Sequence, residues 1–306
     1  MLPCLVLTAG LGTRLRPLTD LVAKPALPVA GQPLVSRILT WLATQGIDDA
    51  VLNLSHLPHT VSGVVGDGSQ FGIRVRYSWE QPVLGSAGGP RHALPLLDAT
   101  RFVIVNGDTL TDVVINDVIA AHAASGASVT MAVVPHPAPG RYGGVQVSDD
   151  GRIEAFTARS NAAEGALWHY IGVQVVEASV FADLPGNVPA ESVGGVYRDL
   201  VKQGRVCAHR SEALFRDIGR PDDYLDTAFA VAHAEGSLSP VIEEAGAEYE
   251  PGAVVDRVIL WSGSRVAAGA SLRNCIVAGG HVPAGTTAEN ACILPGGDGL
   301  QITPFA

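Results

Sequence analysis

Cysteine and long apolar runs are both scarce in this sequence of 306 residues. Cys4, Cys207, Cys275 and Cys292 lie far apart and form no C-x-x-C pair. This spacing indicates neither a disulfide framework nor a zinc cluster, and it is typical of a reduced cytoplasmic protein. Because the sequence also lacks a signal-peptide pattern and any run of about 18 apolar residues, we expect it to be neither exported nor embedded in a membrane.

Positive charge is also in short supply. The chain has 20 Lys and Arg against 30 Asp and Glu, which gives a formal net charge of -10. This balance excludes a broad positive field of the kind that attracts nucleic acid or an anionic membrane surface. A phosphate ligand must therefore be bound by a few locally placed cations.

What the sequence does contain is a regular alternation of apolar runs and amphipathic stretches. Leu34, Ile38, Leu39 and Leu42 repeat at helical spacing, whereas runs such as "RFVIVN" are typical of buried strands. The Asp149, Asp150, Gly151 turn predicts a hairpin within "GGVQVSDDGRIEAF". Strands that alternate with helices predict an α/β fold with a doubly wound, mainly parallel sheet.

The character of the sequence changes after about residue 240. Small apolar residues recur there every six positions, first at Val266 and Leu272 and then, after a break, at Val282, Ala288 and Leu294. This period predicts a short left-handed β-helix-like tail, with a plain β-rich tail as the alternative. We therefore expect a catalytic domain over residues 1–237 and a C-terminal domain over residues 238–306.

The tail raises two further expectations. Hexapeptide coils also occur in acyltransferases, but about 60 residues with a broken period are too few to build a complete coil-based active site. We expect a role in assembly or as a lid, and the coil-type tail points to self-association as a homo-oligomer.

Positive charge is concentrated in the opening segment "LTAGLGTRLRPLTDLVAKPALPVAG". Gly10 and Gly12 permit a tight turn whose backbone N–H groups can face phosphate oxygens, and Arg14 and Lys24 stand nearby. The spacing is neither G-x-G-x-x-G, because Leu15 replaces the third glycine, nor a P-loop, because no G-K-[ST] follows. The segment therefore predicts a phosphate-binding loop of a different kind.

Several motifs follow this segment in a fixed order. After "GLGTRLRPLT" and the Lys24-Pro25 pair come "VGDGSQFGIRVRY", "LGSAGG", "VNGD", "RYGGVQVSDDGRI" and "FRDIGRPDDYL". Over about residues 1–230 this succession resembles the sugar-1-phosphate nucleotidylyltransferases, which make UDP-, dTDP- and GDP-sugars. The resemblance implies a Rossmann-like nucleotidyltransferase fold and an enzyme that expels pyrophosphate.

The resemblance assigns the opening loop to the nucleoside triphosphate. It implies that Arg14 holds the β- and γ-phosphates and that Lys24 holds the α-phosphate, which suits the planar fork of arginine and the point charge of lysine. It places the rest of the nucleotide against Leu7, Ala9, Gly10, Gly12 and Thr13, with Glu80 and Gly85 reading the base.

Two aspartates complete the predicted catalytic set. Asp108 follows an apolar strand in "VNGD", and Asp217 precedes a glycine in "FRDIG". The resemblance makes them ligands of Mg²⁺, a cation that is commonly bound by one or two carboxylates together with phosphate oxygens. The implied reaction is an in-line attack by the sugar 1-phosphate on the α-phosphorus, which needs no covalent protein nucleophile.

The residues at the family's sugar-binding positions depart from the family pattern. The resemblance points to Tyr142 and Gly143, to Arg159 in place of the usual lysine, and to Tyr170 for the sugar phosphate. Ala158 stands where the family has glutamate, so the resemblance does not imply the usual contact between that carboxylate and a sugar hydroxyl. The similarity favours GTP with a mannose- or heptose-type 1-phosphate, and a UTP- or dTTP-using enzyme acting on N-acetylmuramate or glucose 1-phosphate is the alternative.

A rival from another class is a non-catalytic subunit that binds sugar nucleotides and regulates a partner chain. Such a protein could retain the fold while losing catalytic side chains. Arg14, Lys24, Asp108 and Asp217 are all present, which favours the enzyme.

Overall fold

The computed structural model describes residues 2–138, 140–158, 168–297 and 299–305. The helices are α1 (Leu34–Thr44), α2 (Pro58–Val65), α3 (Gly85–Leu97), α4 (Ile115–Ser125), α5 (Ser179–Ala182), α6 (Tyr197–Lys202) and α7 (Pro221–Ala234). The strands are β1 (Cys4–Leu7), β2 (Pro28–Val29), β3 (Gln32–Pro33), β4 (Asp49–Leu54), β5 (Arg74–Trp79), β6 (Arg101–Asn106), β7 (Thr109–Thr111), β8 (Val129–Pro135), β9 (Gly144–Val147), β10 (Ile153–Thr157), β11 (Trp168–Glu177), β12 (Val206–Arg210), β13 (Phe215–Asp217), β14 (Val241–Glu243), β15 (Glu248–Tyr249), β16 (Val254–Leu260), β17 (Arg265–Val266), β18 (Ser271–Val277), β19 (His281–Val282), β20 (Thr287–Gly296) and β21 (Gly299–Pro304). Within these described ranges, no helix has the length and apolar character needed to cross a membrane.

The chain divides into two compact units, each built from two segments of the sequence. The first unit comprises Met1–Gly10 and Ser36–Arg216, and the second comprises Leu11–Val35 and Asp217–Ala306. The second unit thus holds the opening loop and α7 together with the C-terminal strands, and within it the Tyr224 hydroxyl on α7 donates a hydrogen bond to the Pro28 carbonyl. The two-domain division at residue 237 stays a prediction.

One half of the sheet in the first unit consists of parallel strands in the order β6-β1-β4-β5. The strands β1, β4 and β6 are short continuous apolar runs, the pattern of strands covered on both faces. Their register sets Leu7 beside Asn53 on one side and beside Asn106 on the other. The carboxyl ends of three strands therefore meet at one edge, where open α/β sheets bind their ligands.

The other half of this sheet is mixed. Strand β11 runs antiparallel to β6, β8 and β9, while β12 runs parallel to β8. Strands β9 and β10 form the predicted antiparallel hairpin. The α/β fold with a parallel-rich sheet is confirmed, and β11 is the strand at which the direction reverses.

Helix packing follows the predicted periodicity at α1. Leu34, Ile38, Leu39 and Leu42 are all buried, because residues three and four apart share one helix face. Each such side chain stabilises the fold by about 1.5–3 kcal/mol. The helix predicted over "PAESVGGVYRDLVKQG" is shorter than expected: a π-helical turn spans Ser192–Val196, and α6 begins only after the paired glycines, which disfavour regular helix.

The C-terminal part of the second unit is a stack of short parallel strands in two sheets, β14-β16-β18-β20 and β15-β17-β19. The register aligns Val255 with Leu272 and Leu272 with Ala288, so equivalent residues of successive coils lie above one another. The predicted corner residues Val266, Leu272, Val282, Ala288 and Leu294 are all buried. The β-helix-like tail is confirmed, and β21 pairs antiparallel with β20 at its end.

A buried histidine in the first unit couples folding to pH. His122 contacts Thr130 Oγ1 through Nδ1 at 3.0 Å and Glu177 Oε1 through Nε2 at 3.2 Å, and Arg101 pairs with the same Glu177 oxygen at 2.7 Å. Burial lowers the pKa of His122 below its usual 6.5. Partial burial acts to raise the pKa of Glu177, but the hydrogen bonds from Arg101 and His122 outweigh it and lower that pKa below 4.5.

We expect the melting temperature to fall as the pH is lowered from 7 to 5. A group whose pKa is lower in the folded than in the unfolded state stabilises the fold at pH values above its unfolded pKa, and this stability is lost on acidification. The loss begins below pH 6.5 for His122 and below pH 4.5 for Glu177. In thermal melts, His122→Gln should flatten the dependence between pH 7 and 5, whereas the exposed His281→Gln should not. Equal slopes for wild type and His122→Gln would contradict this account.

Candidate active site

The opening loop of the second unit is shaped by Gly12. This residue has φ 60°, a left-handed conformation that side chains disfavour. A Cβ at this position would lie 2.8 Å from Thr19 Cγ2 and 3.3 Å from Lys24 Cβ, so the backbone can fold this tightly only without one. The Thr19 hydroxyl then donates to the Gly12 carbonyl at 2.9 Å. Gly12 therefore brings the chain back on itself and sets the position of Lys24.

The two predicted phosphate-binding cations differ in their surroundings. Arg14 lies in the 3₁₀ turn Thr13–Leu15, and both Thr13 and Arg14 are exposed. Lys24 begins the 3₁₀ turn Lys24–Ala26 and is only 8% exposed. A lysine is rarely buried to this extent without a specific role for its charge. The structure thus holds the Lys24 stem in place and leaves Arg14 accessible.

Asp217 and Arg14 converge around Gly219 in the second unit. A Cβ on Gly219 would lie 3.0 Å from Asp217 Oδ2, 3.1 Å from Asp223 Oδ2 and 3.2 Å from Arg14 Nη1. The Gly219 N–H donates to Asp223 Oδ2 at 3.2 Å, which ties this carboxylate to the same turn. The missing side chain of Gly219 therefore leaves a small cradle edged by two carboxylates and one guanidinium.

The carboxyl end of β1 in the first unit carries the other residues predicted for the loop. Leu7 ends the strand, Ala9 is buried and Gly10 is exposed. The Thr8 N–H donates to Asn53 Oδ1 at 2.7 Å, which fixes the exit of the strand. Apart from Gly10 itself and its two chain neighbours, no heavy atom of the described residues lies within 4 Å of the place that a Cβ on Gly10 would take, so a ligand can approach the backbone there.

Asp108 lies beside the end of β1 because Gly107 allows close approach. The Gly107 N–H donates to the Leu7 carbonyl at 2.9 Å, and a Cβ on Gly107 would lie only 2.5 Å from that oxygen. Asp108 follows directly, is half-buried and accepts a bond of 3.3 Å from the Thr109 hydroxyl. The structure therefore places this carboxylate at the edge of the sheet predicted from "VNGD".

Glu80, predicted to read the base, is only 4% exposed. Its Oε1 accepts a bond of 2.8 Å from Asn53 Nδ2, and its Oε2 accepts one of 2.9 Å from the Leu84 N–H. A Cβ on Gly89 would lie 2.7 Å from Glu80 Oε1, so this glycine makes room for the carboxylate. Glu80 thus links β4 to the loop that precedes α3, while each carboxylate oxygen retains capacity for a further donor.

Gly85 is also held in a close-packed position. It has φ 77°, and a Cβ there would lie 2.8 Å from the Ala190 carbonyl and 2.9 Å from Glu191 Oε1. The Ala190 carbonyl accepts from the Ala87 N–H at 2.8 Å, and the Ser86 hydroxyl donates to Glu191 Oε2 at 2.7 Å. The segment around Ala190 therefore caps the first turn of α3.

The predicted sugar-binding pair, Tyr142 and Gly143, sits in a cluster of rings. His169 lies 4.8 Å from the Tyr142 ring and 4.6 Å from the Phe215 ring, measured between centroids. Burial lowers the pKa of His169, so the ring is neutral and its Nδ1–H donates to the Gly143 carbonyl at 3.0 Å. His169 therefore fixes the backbone at Gly143.

The departure from the family pattern lies next to this pair. A Cβ on Gly143 would lie 2.9 Å from the Thr157 carbonyl, and Ala158, which follows, is exposed. The cation predicted at Arg159 lies outside the described residues.

The negative charge of Asp108 acts on the buried hydroxyl of Tyr170. Burial raises the pKa of Tyr170 well above its usual value, and Tyr197 and Asp108 add to this effect. The hydroxyl therefore stays protonated, and its buried oxygen has no hydrogen-bond partner among the described residues. Such a donor is where a bound water or ligand oxygen is expected.

Three residues of this arrangement were missed by sequence reasoning: Asn53, His169 and Asp223. Asn53 is a polar residue inside the buried run "DAVLNL", and Asp223 follows a helix-starting proline, so both carried a visible signal. His169 carried none, because its partner Gly143 is supplied by tertiary packing.

The donor set is suited to a hard cation. Asp217 and Asp223 offer carboxylate oxygens at the Gly219 cradle, and Mg²⁺ binds few protein ligands and completes its shell with phosphate and water. Among the described residues, there is no cluster of three or more His, Cys, Asp or Glu side chains that could hold a metal alone. Two carboxylates at one cradle fit a cation whose remaining ligands are phosphate and water oxygens.

Comparison with known proteins identifies related nucleotidyltransferases. A family profile described as nucleotidyl transferase matches residues 4–233. The mannose-1-phosphate guanylyltransferase of Mycobacterium tuberculosis is 28% identical over 291 residues, which covers 86% of this chain and 81% of that protein. The N-acetylmuramate alpha-1-phosphate uridylyltransferase of Neisseria meningitidis is 32% identical over 221 residues, which covers 70% and 92% respectively.

A solved structure shares the fold. HddC from Yersinia pseudotuberculosis, complexed with GMP-PN, aligns with a TM-score of 0.64 at 22% identity, covering 76% of this chain and 100% of that one.

Proposed function

The chain belongs to the nucleotidyl transferase family, and from that premise we propose that it joins a nucleoside triphosphate to a sugar 1-phosphate, giving an NDP-sugar and pyrophosphate. The observation that carries the proposal is the cradle at Gly219, where Arg14 Nη1 and Asp217 Oδ2 face the same point. A cation and a carboxylate that share one small space suit a triphosphate with its metal ion.

The opening loop binds the nucleotide in this proposal. Arg14 contacts the β- and γ-phosphates with its fork of donors, and the buried stem of Lys24 aims one charge at the α-phosphate. Gly10 and Gly12 let the backbone approach the phosphates. Both cations favour the transition state, because negative charge builds up on the oxygens around the α-phosphorus.

Asp108 and Asp217 hold the Mg²⁺ ion in this proposal. When bound, the ion supplies charge neutralisation and orientation of the phosphates. The two reacting anions repel one another, and Arg14 and Lys24 offset that repulsion at close range. The chain contributes orientation and electrostatics, and the sugar phosphate itself is the nucleophile.

Base and sugar are read by the first unit. The Gly85 backbone and the free lone pairs of Glu80 face the base edge, while Asn53 and Leu84 keep the Glu80 carboxylate still. Gly143, Arg159 and Tyr170 bind the sugar phosphate. The Mycobacterium tuberculosis relative is named as a mannose-1-phosphate guanylyltransferase, and a relative from Aneurinibacillus thermoaerophilus is named as a D-glycero-alpha-D-manno-heptose 1-phosphate guanylyltransferase, so we propose GTP with a sugar of this type. The relative named as an N-acetylmuramate 1-phosphate uridylyltransferase supports UTP as the second candidate.

A substrate matrix tests the proposal. Pyrophosphate release is measured for GTP, UTP, dTTP and ATP, each with mannose, manno-heptose, glucose and N-acetylmuramate 1-phosphate. We expect the highest kcat/KM for GTP with a mannose- or heptose-type sugar, and a maximum at UTP would establish the second candidate. Absence of release from every pair would overturn the enzyme and favour the regulatory subunit, for which calorimetry should still detect NDP-sugar binding.

A further inference from the structure

The segment that carries Lys24 continues into a short hairpin. Strands β2 and β3 pair antiparallel, with Pro28 opposite Pro33. The hairpin is linked to the preceding turn by a bond of 3.2 Å from the Leu27 N–H to the Lys24 carbonyl. The Lys24 backbone is therefore tied to the residue that directly precedes the hairpin.

The first support of the hairpin is a buried relay of two aromatic side chains. Tyr224 on α7 is 0% exposed, and its hydroxyl donates to the Pro28 carbonyl. Trp261, which directly follows β16 of the coil stack and is 8% exposed, donates from Nε1 to the same hydroxyl at 3.0 Å. Burial raises the pKa of Tyr224, so its hydroxyl keeps the proton that it donates.

The second support is a carboxylate from the first coil. Glu244, which directly follows β14, accepts a bond of 3.0 Å from the Gly31 N–H through Oε1. Gly31 lies at the tip of the hairpin with φ 82°. The Glu244 backbone is itself fixed in the stack, because its N–H donates to the Leu260 carbonyl at 2.9 Å. The coil stack thus holds the hairpin at its base and at its tip.

We propose that the β-helix-like tail positions the nucleotide end of the active site: Trp261, through Tyr224, and Glu244 hold the hairpin Pro28–Pro33 and thereby set Lys24. This inference rests on the proposed function and deepens it, because it makes the tail part of nucleotide recognition. If the Lys24 side chain is already in position before the nucleotide binds, no free energy is spent on ordering it. Loosening the hairpin therefore weakens nucleotide binding and slows the reaction.

The experiment removes one hydrogen bond at a time. Tyr224→Phe deletes the relay, Trp261→Phe deletes its outer donor, and Glu244→Ala deletes the tip contact. We expect each to raise the KM for the nucleoside triphosphate about fivefold to tenfold, the size of one lost hydrogen bond, with the KM for the sugar 1-phosphate changed less than about twofold. Glu244→Gln retains an acceptor oxygen and should restore the wild-type KM, and the exposed Tyr249→Phe is the matched control.

A second measurement does not depend on turnover. Hydrogen exchange of peptides covering residues 27–35 should be faster in Tyr224→Phe and Glu244→Ala than in wild type and in Tyr249→Phe. Unchanged exchange together with an unchanged KM for the nucleoside triphosphate would overturn the proposal. A lower melting temperature with equal changes in the KM of both substrates would also overturn it, because that pattern indicates general destabilisation. If wild type forms no NDP-sugar, the proposed function fails, whereas the exchange rates still decide whether the tail holds the hairpin.

Discussion

We expect Lys24→Met to lower kcat/KM by about 100- to 1000-fold, the size found when one preorganised donor to a transition-state charge is removed. Lys24 is 8% exposed, so its stem is packed as well as charged. Methionine keeps most of that stem and removes the ammonium group. The melting temperature should therefore change by less than about 4 °C. Steady-state kinetics and thermal melting of the same preparation check both parts.

The chain provides its own control for this experiment. Lys24 and Lys202 are the lysines of the sequence, and Lys202 is exposed on α6 and paired with Asp199 at 2.8 Å. Lys202→Met should leave kcat/KM within about twofold, because exposed ion pairs contribute little. A Lys24→Met enzyme with wild-type kcat/KM would remove Lys24 from the proposed site, and a matching loss in Lys202→Met would point to a general effect of net charge.

The second large effect is expected at the two proposed metal ligands. Asp108→Asn and Asp217→Asn should each lower the rate by about 100-fold or more, because the amide keeps the shape but removes the charge that holds a divalent cation. Initial rates measured against Mg²⁺ concentration should show saturation at much higher Mg²⁺ in both variants. The exposed Asp256→Asn serves as control, since its partner Arg273 lies 3.4 Å away on the surface of the coil stack.

A third variant, Asp223→Asn, distinguishes Asp217 from Asp223 as the metal ligand. Its Oδ2 lies as near to the Gly219 cradle as that of Asp217, but it also accepts the Gly219 N–H. If Asp217 is the ligand and Asp223 shapes the turn, Asp223→Asn should lower the melting temperature while the dependence on Mg²⁺ stays close to that of wild type. The opposite pattern, with Asp217→Asn active at the wild-type Mg²⁺ concentration, would assign the ion to Asp223.

Local features of the fold could be predicted from the sequence because they depend on neighbouring residues. The helical spacing from Leu34 to Leu42, the turn at Gly151 and the six-residue period from Val282 to Leu294 all appear in the structure. The order of motifs likewise indicated the family, and the loop chemistry at Gly12 follows from the conformational freedom of glycine.

Features that depend on distant residues could not be predicted in this way. The pairing of β11 with β6, the bond from Asn53 to Glu80 and the bond from His169 to Gly143 each join segments far apart in the sequence. Likewise, nothing in the sequence around Ala190 indicates that its carbonyl caps the first turn of α3. Such contacts are decided by packing of whole elements, whose sequence pattern reports only which face is apolar.

The sequence by itself therefore determined the types of elements, the family and the charged groups available for catalysis. Only the tertiary structure decided that Arg14 shares the Gly219 cradle with Asp217 and Asp223, and that the hairpin after Lys24 is held by Tyr224 and Glu244. The physical reason is that side-chain chemistry and backbone preference are local properties, whereas hydrogen bonds between buried groups form only where the folded chain brings donor and acceptor into reach.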